Sequence, residues 1–211
     1  MSVTTRAVIG EPVTQRQWIR RGELLEAARR VFERDGYHAA TVSAIVQAAG
    51  LSQGAFYLYF ADKKAVFAAL QAEMATLLRR RIYWATRDVP DPRLRLAAGL
   101  RSYFEFYAEY AQWNRRLLTE GLGIDPGFEE RQAVLNRTLA DAFAPTFHEL
   151  GIRDHALAGF ALIGMAGQLA YWNQFPSEGQ SIKDVETLSQ TCARFFLTGA
   201  PSISHKGDSH A

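Results

Sequence analysis

The chain has 211 residues, of which 48% are apolar and 22% are charged. This balance is typical of folded globular domains and excludes wholesale disorder, collagen-like repeats and fibrous coiled coils. The single cysteine, Cys192, has no second cysteine to pair with, and no cluster of cysteine and histidine has zinc-ligand spacing. We therefore expect no disulfide, no structural metal and no cofactor. The sequence also lacks a signal-peptide pattern and any apolar run of about 18 residues, and we expect a cytoplasmic protein.

The two parts of the chain differ in charge, although the net charge is only +2. Residues 1–80 carry 11 Lys and Arg against 7 Asp and Glu, which leaves +4, whereas residues 81–211 carry 13 against 15, which leaves −2. A basic excess at one end can mark a module that binds a polyanion. A difference of a few charges also arises by chance, so the asymmetry needs a motif to support it.

Apolar residues recur at intervals of three and four beyond about residue 14, and long alternating runs are missing, so the sequence predicts an all-α protein. The first helix should end near Asp35, with Gly36 as a left-handed C-terminal cap. A second helix should begin after the N-cap Thr41 and stop at Gly50, and Ser52 should cap a third. The apolar face predicted for the first helix comprises Leu24, Leu25, Ala28, Val31 and Phe32.

Longer helices are predicted in the rest of the chain. The first runs from Asp62 to about Arg87 and is halted by residues 89–92, because proline excludes helical geometry from the residue before it. Pro145 should kink the helix that contains it, and residues 200–211 are expected to form a disordered polar tail. The other helices are predicted at 92–110, 113–122, 126–150, 154–175 and 181–198.

Residues 41–60 have the layout of a helix-turn-helix. Gly50 supplies the positive φ that a tight turn requires, and Leu51 fills the angle between two helices of seven to nine residues. A helix of this width fits the major groove of B-DNA. Ordinary helical subdomains also contain short helices joined by glycine, so the spacing alone leaves both interpretations open. The face of the third helix expected to be free comprises Ser52, Gln53, Gly54, Ala55, Tyr57, Leu58 and Tyr59.

The residue types on this face indicate that some side chains contact bases and others contact the phosphate backbone. Gln53 matches the edge of adenine, whereas Ala55 and Leu58 match thymine methyl groups. Contacts to the phosphate backbone would make binding dependent on salt. The side chains expected to make such contacts are Thr41, Ser52, Tyr57, Arg21 and Lys63.

A larger set of positions, from Arg21 to Lys63, carries a family resemblance. They are Arg21, Leu24, Leu25, Ala27, Ala28, Phe32, Gly36, Tyr37, Thr41, Val42, Ile45, Ala48, Ala49, Gly50, Leu51, Ser52, Gly54, Tyr57, Phe60 and Lys63. Through these positions residues 21–63 resemble, without a gap, the DNA-binding domain of the tetracycline-repressor (TetR) family. It departs at Gln53, Leu58 and Lys64, where the family often has a basic, a polar and an acidic residue. These three positions are expected to set the operator sequence.

The resemblance implies a three-helix DNA-binding domain, expected at 14–61, followed by a larger helical domain for ligand binding and dimerisation, expected at 62–199. In similar proteins the last two helices of each subunit form a four-helix dimer interface. Small residues on the helix 154–175 permit close helix approach, although packing within one subunit explains them equally well. The residues expected at the interface are Ala158, Leu162, Ala166, Ala170, Val185, Leu188, Cys192 and Phe196.

The second domain is rich in aromatic residues with polar groups close to them in sequence. Such a composition indicates an apolar pocket with a few orienting groups. His148 could equally be a structural histidine. The residues expected to contact a ligand are Trp84, Phe104, Tyr107, Trp113, Phe143, Phe147, His148, Gln168 and Trp172.

These features favour a homodimeric transcriptional regulator, a repressor that leaves a palindromic operator when an apolar or aromatic small molecule enters the second domain. The ligand would favour a state in which the helix 62–87 has swung and the two recognition helices no longer match both half-sites. A helical enzyme is a second hypothesis, but the sequence offers no phosphate-binding glycine loop and no nucleophile elbow. A non-specific architectural DNA-binding protein is a third, and it calls for a more basic surface.

Overall fold

The computed structural model describes residues 14–120, 126–175 and 183–203. In these ranges all regular secondary structure is α-helical. The all-α prediction is therefore confirmed. None of the described helices combines the length with the apolar character that a membrane crossing demands. The helices are α1 (Gln15–Ala39), α2 (Val42–Ala49), α3 (Gln53–Tyr57), α4 (Lys63–Thr86), α5 (Pro92–Glu109), α6 (Ala111–Glu120), α7 (Pro126–Ala142), α8 (Ala144–Glu149), α9 (His155–Gln174) and α10 (Val185–Ile203).

Side-chain caps begin α2 and α3 where the sequence predicts them. Thr41 Oγ1 accepts a hydrogen bond from the backbone N–H of Ala44 at 3.1 Å, and Ser52 Oγ accepts one from the N–H of Ala55 at 3.2 Å. The first N–H groups of a helix have no partner within the helix. Each hydroxyl therefore satisfies a donor that would otherwise be unpaired and fixes the residue at which the helix starts.

The predicted end of the first helix is a sharp bend. Gly36 has φ 79° and ψ 168°, and helical geometry resumes for the three residues up to Ala39. The positive φ is as predicted, but the large ψ makes the residue extended and not a left-handed helical cap. Residues other than glycine rarely adopt this conformation, because it costs them free energy.

Contacts divide the chain into two compact units. The first comprises Met1–Met74 with Arg116–Gly121, and the second comprises Ala75–Arg115 with Leu122–Ala211. Two continuous helices contribute to both units, since α4 passes from the first to the second after Met74 and α6 re-enters the first after Arg115. The domain limits 14–61 and 62–199 remain predictions. Of the predicted tail, residues up to Ile203 belong to α10, and 204–211 lie outside the described residues.

The core of the first unit forms on the predicted face of α1. Its five apolar side chains are at most 2% exposed, and the Phe32 ring packs edge-on against Phe67 of α4 with 5.2 Å between ring centroids. From α2 and α3, Ile45 and Phe56 are fully buried. Burial of one apolar stripe from each helix is the main stabilising term in a small helical domain.

The C-terminal end of α1 is held by three charged side chains, Lys63, Arg116 and Glu120, which we call the α1 clasp. Arg116 donates to the carbonyl oxygens of residues 33 and 34, both at 3.3 Å, and pairs with Glu120 at 2.7 Å. A Glu120 carboxylate oxygen accepts from the backbone N–H of Tyr37 at 2.6 Å. These bonds satisfy backbone groups that the bend at Gly36 removes from the regular helix pattern.

In the second unit, α5 contacts α8, α9 and α10. The single helix predicted at 126–150 is wrong, because the chain forms α7 and α8 with a break at Phe143. Pro145 lies in the first turn of α8, where its missing N–H costs no helical hydrogen bond. The proline therefore starts a helix and does not kink one. In the described ranges, no group of three His, Cys, Asp or Glu residues is placed to hold a metal ion.

Gly36→Ala should destabilise the first unit. A Cβ at this residue would lie 2.7 Å from both carboxylate oxygens of Glu120 in addition to requiring a positive φ, and we expect a loss of about 1–3 kcal/mol in the free energy of unfolding. Gly22→Ala is the matched control, since its Cβ would meet nothing within 4 Å and alanine favours a helix interior. Denaturant unfolding measures both variants, and an unchanged midpoint for Gly36→Ala would contradict the role given to the bend.

Candidate nucleic-acid interface

The turn between α2 and α3 is fixed by one glycine and one cap. Gly50 adopts φ 65° and ψ 31°, the left-handed conformation that the sequence predicts, and Ser52 then begins α3. The helical hydrogen-bond pattern of α3 covers only Gln53–Tyr57, which is shorter than the predicted seven to nine residues. A helix this short has no stability of its own, so packing and capping must hold it in place.

Burial divides the α3 region into an inner and an outer side. Phe56 and Phe60 are 0% and 3% exposed, whereas Tyr57 and Leu58 are 52% and 68% exposed. Of the other predicted contact residues, Ser52, Gln53 and Gly54 are exposed, and Ala55 and Tyr59 are half-buried. The predicted phase of this helix is therefore the phase in the structure, and Tyr57 lies on the outer side.

Two hydroxyl groups flank this outer surface and retain a donor. The oxygens of Thr41 and Ser52 accept bonds from the helix N-termini, and both residues are exposed. A hydroxyl that accepts one hydrogen bond still has its own hydrogen to donate. Both residues can therefore cap their helices and donate to a phosphate oxygen together.

Gly54 has room for a side chain that the protein itself does not fill. A Cβ added there would meet only Ser52 Oγ, at 3.8 Å, which is an ordinary contact distance. Neither packing nor a positive φ requires glycine at this position. The missing side chain leaves backbone open to an approaching surface.

Arg21 lies at the edge of this surface. Its guanidinium carbon is 5.4 Å from the centroid of the buried Phe60 ring and 6.0 Å from that of Trp18. The neighbouring Trp18 and Ile19 are 51% and 55% exposed, and the sequence prediction missed both. An exposed tryptophan in the first turn of a capped helix was the available signal.

Lys63, which is predicted to contact phosphate, is bound within its own subunit. Its Nζ donates to the carbonyl oxygens of Tyr37, His38 and Ala40 at 2.6, 3.1 and 2.9 Å. An ammonium group has three N–H donors, so all three are used within the α1 clasp. Burial lowers the pKa of Lys63 below its ordinary value. Sequence spacing could not show this arrangement, because 23 or more residues separate Lys63 from these partners.

The residues predicted to contact a ligand separate into interior and surface positions. Trp113, Phe104, Phe143 and Phe147 are at most 3% exposed, and Tyr107 and Trp172 are half-buried. The other three are corrected to surface positions, since helix phase turns them outward. They are Trp84, which is 60% exposed, His148 and Gln168.

Most residues predicted at the dimer interface pack inside one subunit. Leu162, Ala166, Ala170, Leu188, Cys192 and Phe196 are at most 6% exposed, so they offer little surface to a second subunit. Ala158 and Val185 are half-buried. Gly159 serves the contact of α9 with α7, because a Cβ at this residue would lie 2.7 Å from the Cβ of Ala140. The bulky face that the prediction missed is the outer one, where Leu157, Phe160 and Tyr171 are 52%, 49% and 39% exposed.

Lys63→Met should lower stability without changing the salt dependence of DNA binding. Loss of three hydrogen bonds from a charged donor should cost about 1–3 kcal/mol of unfolding free energy, and the exposed Lys64→Met serves as control. A lysine bound to phosphate would instead contribute about one unit to the slope of log affinity against log salt concentration. A smaller slope for Lys63→Met, measured by fluorescence anisotropy on a DNA duplex, would restore the original assignment.

Comparison with known proteins gives this surface a family context. Residues 24–70 match the family model described as bacterial regulatory proteins, tetR family. The chain is 31% identical over 123 residues to the HTH-type transcriptional activator FasR of Mycolicibacterium smegmatis, with 58% of this chain and 56% of the relative aligned. It is 32% identical over 126 residues to the transcriptional repressor AcnR of Corynebacterium diphtheriae, with 59% and 61% aligned. The matched part thus spans less than two thirds of either relative's length.

A solved structure extends the similarity of fold along most of the chain. The fatty acid degradation regulator FadR from Bacillus halodurans superposes with a TM-score of 0.72 over 85% of this chain and 95% of its own, at 20% sequence identity. Identity this low shows the shared fold alone. With the family match on residues 24–70, the capped helix-turn-helix and the all-helical architecture in agreement, the chain belongs to the TetR family of bacterial regulatory proteins.

Proposed function

We propose that the protein is a homodimeric, sequence-specific DNA-binding regulator of transcription whose operator binding is controlled by a small molecule. The observation that carries this proposal is the outer side of α3, where Tyr57 and Leu58 are exposed on a short helix anchored from beneath by Phe56. A rigid helix with an unpartnered outer side is the form in which helix-turn-helix proteins read the major groove.

The proposed roles at the DNA follow the chemistry of each group. Gln53 would pair with an adenine edge, and Leu58 would contact a thymine methyl group. The hydroxyls of Thr41, Ser52 and Tyr57 would donate to phosphate oxygens and fix the register. Arg21 would add charge at the edge. Because this surface offers few charged groups, specificity would depend on base contacts more than on general attraction to phosphate.

Dimerisation is proposed through the outer face of α9 and not through its small residues. Leu157, Phe160 and Tyr171 repeat at helical spacing along one face of α9, and α10, which contacts α9, adds Phe195 at 62% exposure. A row of large exposed apolar side chains marks an interaction surface. A second copy is the proposed occupant, because a palindromic operator needs two recognition helices about 34 Å apart.

Control by a small molecule is proposed to act through the two helices that belong to both units. A ligand in the second unit would favour a state in which α4 has moved. Because α4 continues into the first unit, this movement would be passed on to the first unit. α6 supplies a second connection, because it ends in Arg116 and Glu120 of the α1 clasp. A ligand acts only by binding two conformations with different affinity. An apolar or aromatic effector suits the aromatic interior of the second unit.

The direction of control is proposed to be repression, with release by the effector. The two relatives described above are an activator and a repressor, so both outcomes are compatible with this family. Binding of bacterial operator DNA implies action in the cytoplasm. The enzyme hypothesis and the architectural hypothesis have less support, since the relatives named above are transcriptional regulators.

Tyr57→Phe and Gly54→Ala should weaken operator binding while the protein stays folded. Tyr57→Phe removes one hydroxyl from an exposed ring, and we expect about a five- to tenfold loss of affinity. Gly54→Ala adds a methyl group where the DNA backbone would approach. It should lower affinity and raise unfolding stability by about 0.5–1 kcal/mol. Mobility-shift titration of the protein's own promoter, with random DNA as competitor, measures the affinity.

The same titration tests the proposed function as a whole. The wild type should bind promoter DNA at least about a thousandfold more tightly than random DNA. Equal affinity for both DNAs would favour the architectural hypothesis. The absence of any selective shift at moderate salt would rule out the regulator.

Phe160→Glu should convert the dimer to a monomer and reduce operator affinity in parallel. A carboxylate buried in an apolar interface pays a desolvation cost without a partner. Val134→Glu is the matched control, because this valine of α7 is 59% exposed and lies outside the proposed interface. Sedimentation velocity distinguishes the two states. A dimer that survives Phe160→Glu would show that the subunits meet through another surface.

A further inference from the structure

Asn114 of α6 is a buried polar residue whose side-chain donor has no partner among the described residues. The residue is 3% exposed, and its Nδ2 makes no hydrogen bond there. Its backbone N–H bonds to the carbonyl oxygen of Tyr110 at 2.9 Å, so the helix itself is satisfied. A buried donor left unpaired costs a folded protein about 1–3 kcal/mol. A buried polar group that lowers stability in this way calls for an explanation, such as a role in binding.

Gln174, at the end of α9, presents the complementary atom. Its Nε2 donates to the carbonyl oxygen of Tyr107 at 3.0 Å, which fixes the amide in one orientation. With the nitrogen bound, Oε1 is left buried and without a partner in the described part of the chain. Among its described residues the second unit therefore holds one such donor, Asn114 Nδ2, and two such acceptors, Gln174 Oε1 and Gln132 Oε1 of α7.

The two amides belong to the same corner of the second unit. The residue after Asn114 is Arg115 and the residue after Gln174 is Phe175, and the guanidinium carbon of Arg115 lies 5.3 Å from the centroid of the Phe175 ring. The side chain of Gln174 bonds to the carbonyl oxygen of Tyr107, and the backbone N–H of Asn114 bonds to that of Tyr110. Tyr107 and Tyr110 are three residues apart, which is about one helical turn. The corner is thus formed by the end of α5, the start of α6 and the end of α9.

Aromatic rings make up most of the surroundings of this corner, and the Arg115 guanidinium lies at its edge. Tyr103 and Tyr107 stack with 4.5 Å between ring centroids. Burial raises the pKa of both hydroxyls, so both tyrosines are neutral at physiological pH. Trp113 beside Asn114 is 1% exposed. A few fixed polar atoms in an apolar setting are the usual composition of a small-molecule site.

We propose that Asn114 and Gln174 form the polar anchor of the effector site, and that the anchor takes a neutral group that both accepts and donates hydrogen bonds, as a carboxamide does. The ligand's carbonyl oxygen would accept from Asn114 Nδ2, and its N–H would donate to Gln174 Oε1. An apolar body attached to this group would lie among the aromatic rings. The proposal rests on the proposed function only in treating the bound molecule as the effector.

The complementary atoms set the ligand class. A carboxylate offers acceptors only, so one of its oxygens would face Gln174 Oε1 with no hydrogen between them, and a buried anion also pays a large desolvation cost. An ester satisfies Asn114 but leaves Gln174 Oε1 unpaired. A site built to bond a polar group discriminates strongly against analogues that lack it. A primary amide should therefore bind more tightly than either.

The test uses the full-length protein and three probes with the same chain length, octanamide, methyl octanoate and octanoate, titrated by calorimetry at neutral pH. Octanamide should bind about tenfold more tightly than the ester, and octanoate more weakly than octanamide. Asn114→Leu should weaken octanamide about tenfold and leave the unfolding temperature equal or higher, because leucine has a similar shape and removes an unpaired donor. Asn136→Leu, in the half-buried part of α7, is the matched control and should leave octanamide affinity unchanged.

Each other outcome overturns the anchor. They are failure of the wild type to bind octanamide, equal binding by Asn114→Leu, and a lower unfolding temperature for Asn114→Leu, which would mean that the amide has a structural or water partner. Promoter binding measured on the same samples separates the two proposals. Selective DNA binding without octanamide binding rejects the anchor alone, and octanamide binding without selective DNA binding rejects the regulator alone.

Discussion

The structure around the candidate interface depends on the burial of one aromatic side chain, Phe56, beneath a helix too short to exist alone. α3 covers only Gln53–Tyr57, and an isolated helix of this length is unstable in water. Phe56 is fully buried, the Ser52 hydroxyl caps the first turn, and Gly50 sets the entry angle. These three constraints leave α3 one orientation. The exposure of Tyr57 follows from the burial of its neighbour, so packing within the unit determines which side chains can meet DNA.

Local rules of sequence were sufficient for this part of the molecule. Thr41, Ser52 and Gly50 act through backbone groups a few residues away, so their roles can be predicted from the local sequence. Helix phase within α3 followed from the apolar spacing alone. The break at Phe143 was missed because a proline in an apolar run is compatible with both a kink and a helix start. Only the tertiary setting of α7 and α8 decides between them.

Positions that depend on distant partners could not be predicted in the same way. Lys63 has the position of a phosphate ligand in the resemblance, yet its three carbonyl partners lie at the end of α1 and on the C-cap residue that follows it. The small residues of α9 permit close approach to any helix, and in the structure Gly159 uses this against Ala140 within one subunit. The type of a residue shows which interactions it can make, but the tertiary structure determines which residue it contacts. The unpaired amide of Asn114 likewise became visible only when its surroundings were known.

The α1 clasp has a consequence for exchanging DNA-binding regions between members of the family. The first unit includes Arg116–Gly121, and Arg116 and Glu120 form hydrogen bonds with backbone groups at the C-terminal end of α1. A fragment cut at the first long helix would keep every residue of the family motif and still lose these contacts. The recognition module is therefore discontinuous in sequence, and a chimaera that transplants it intact must carry the end of α6 as well.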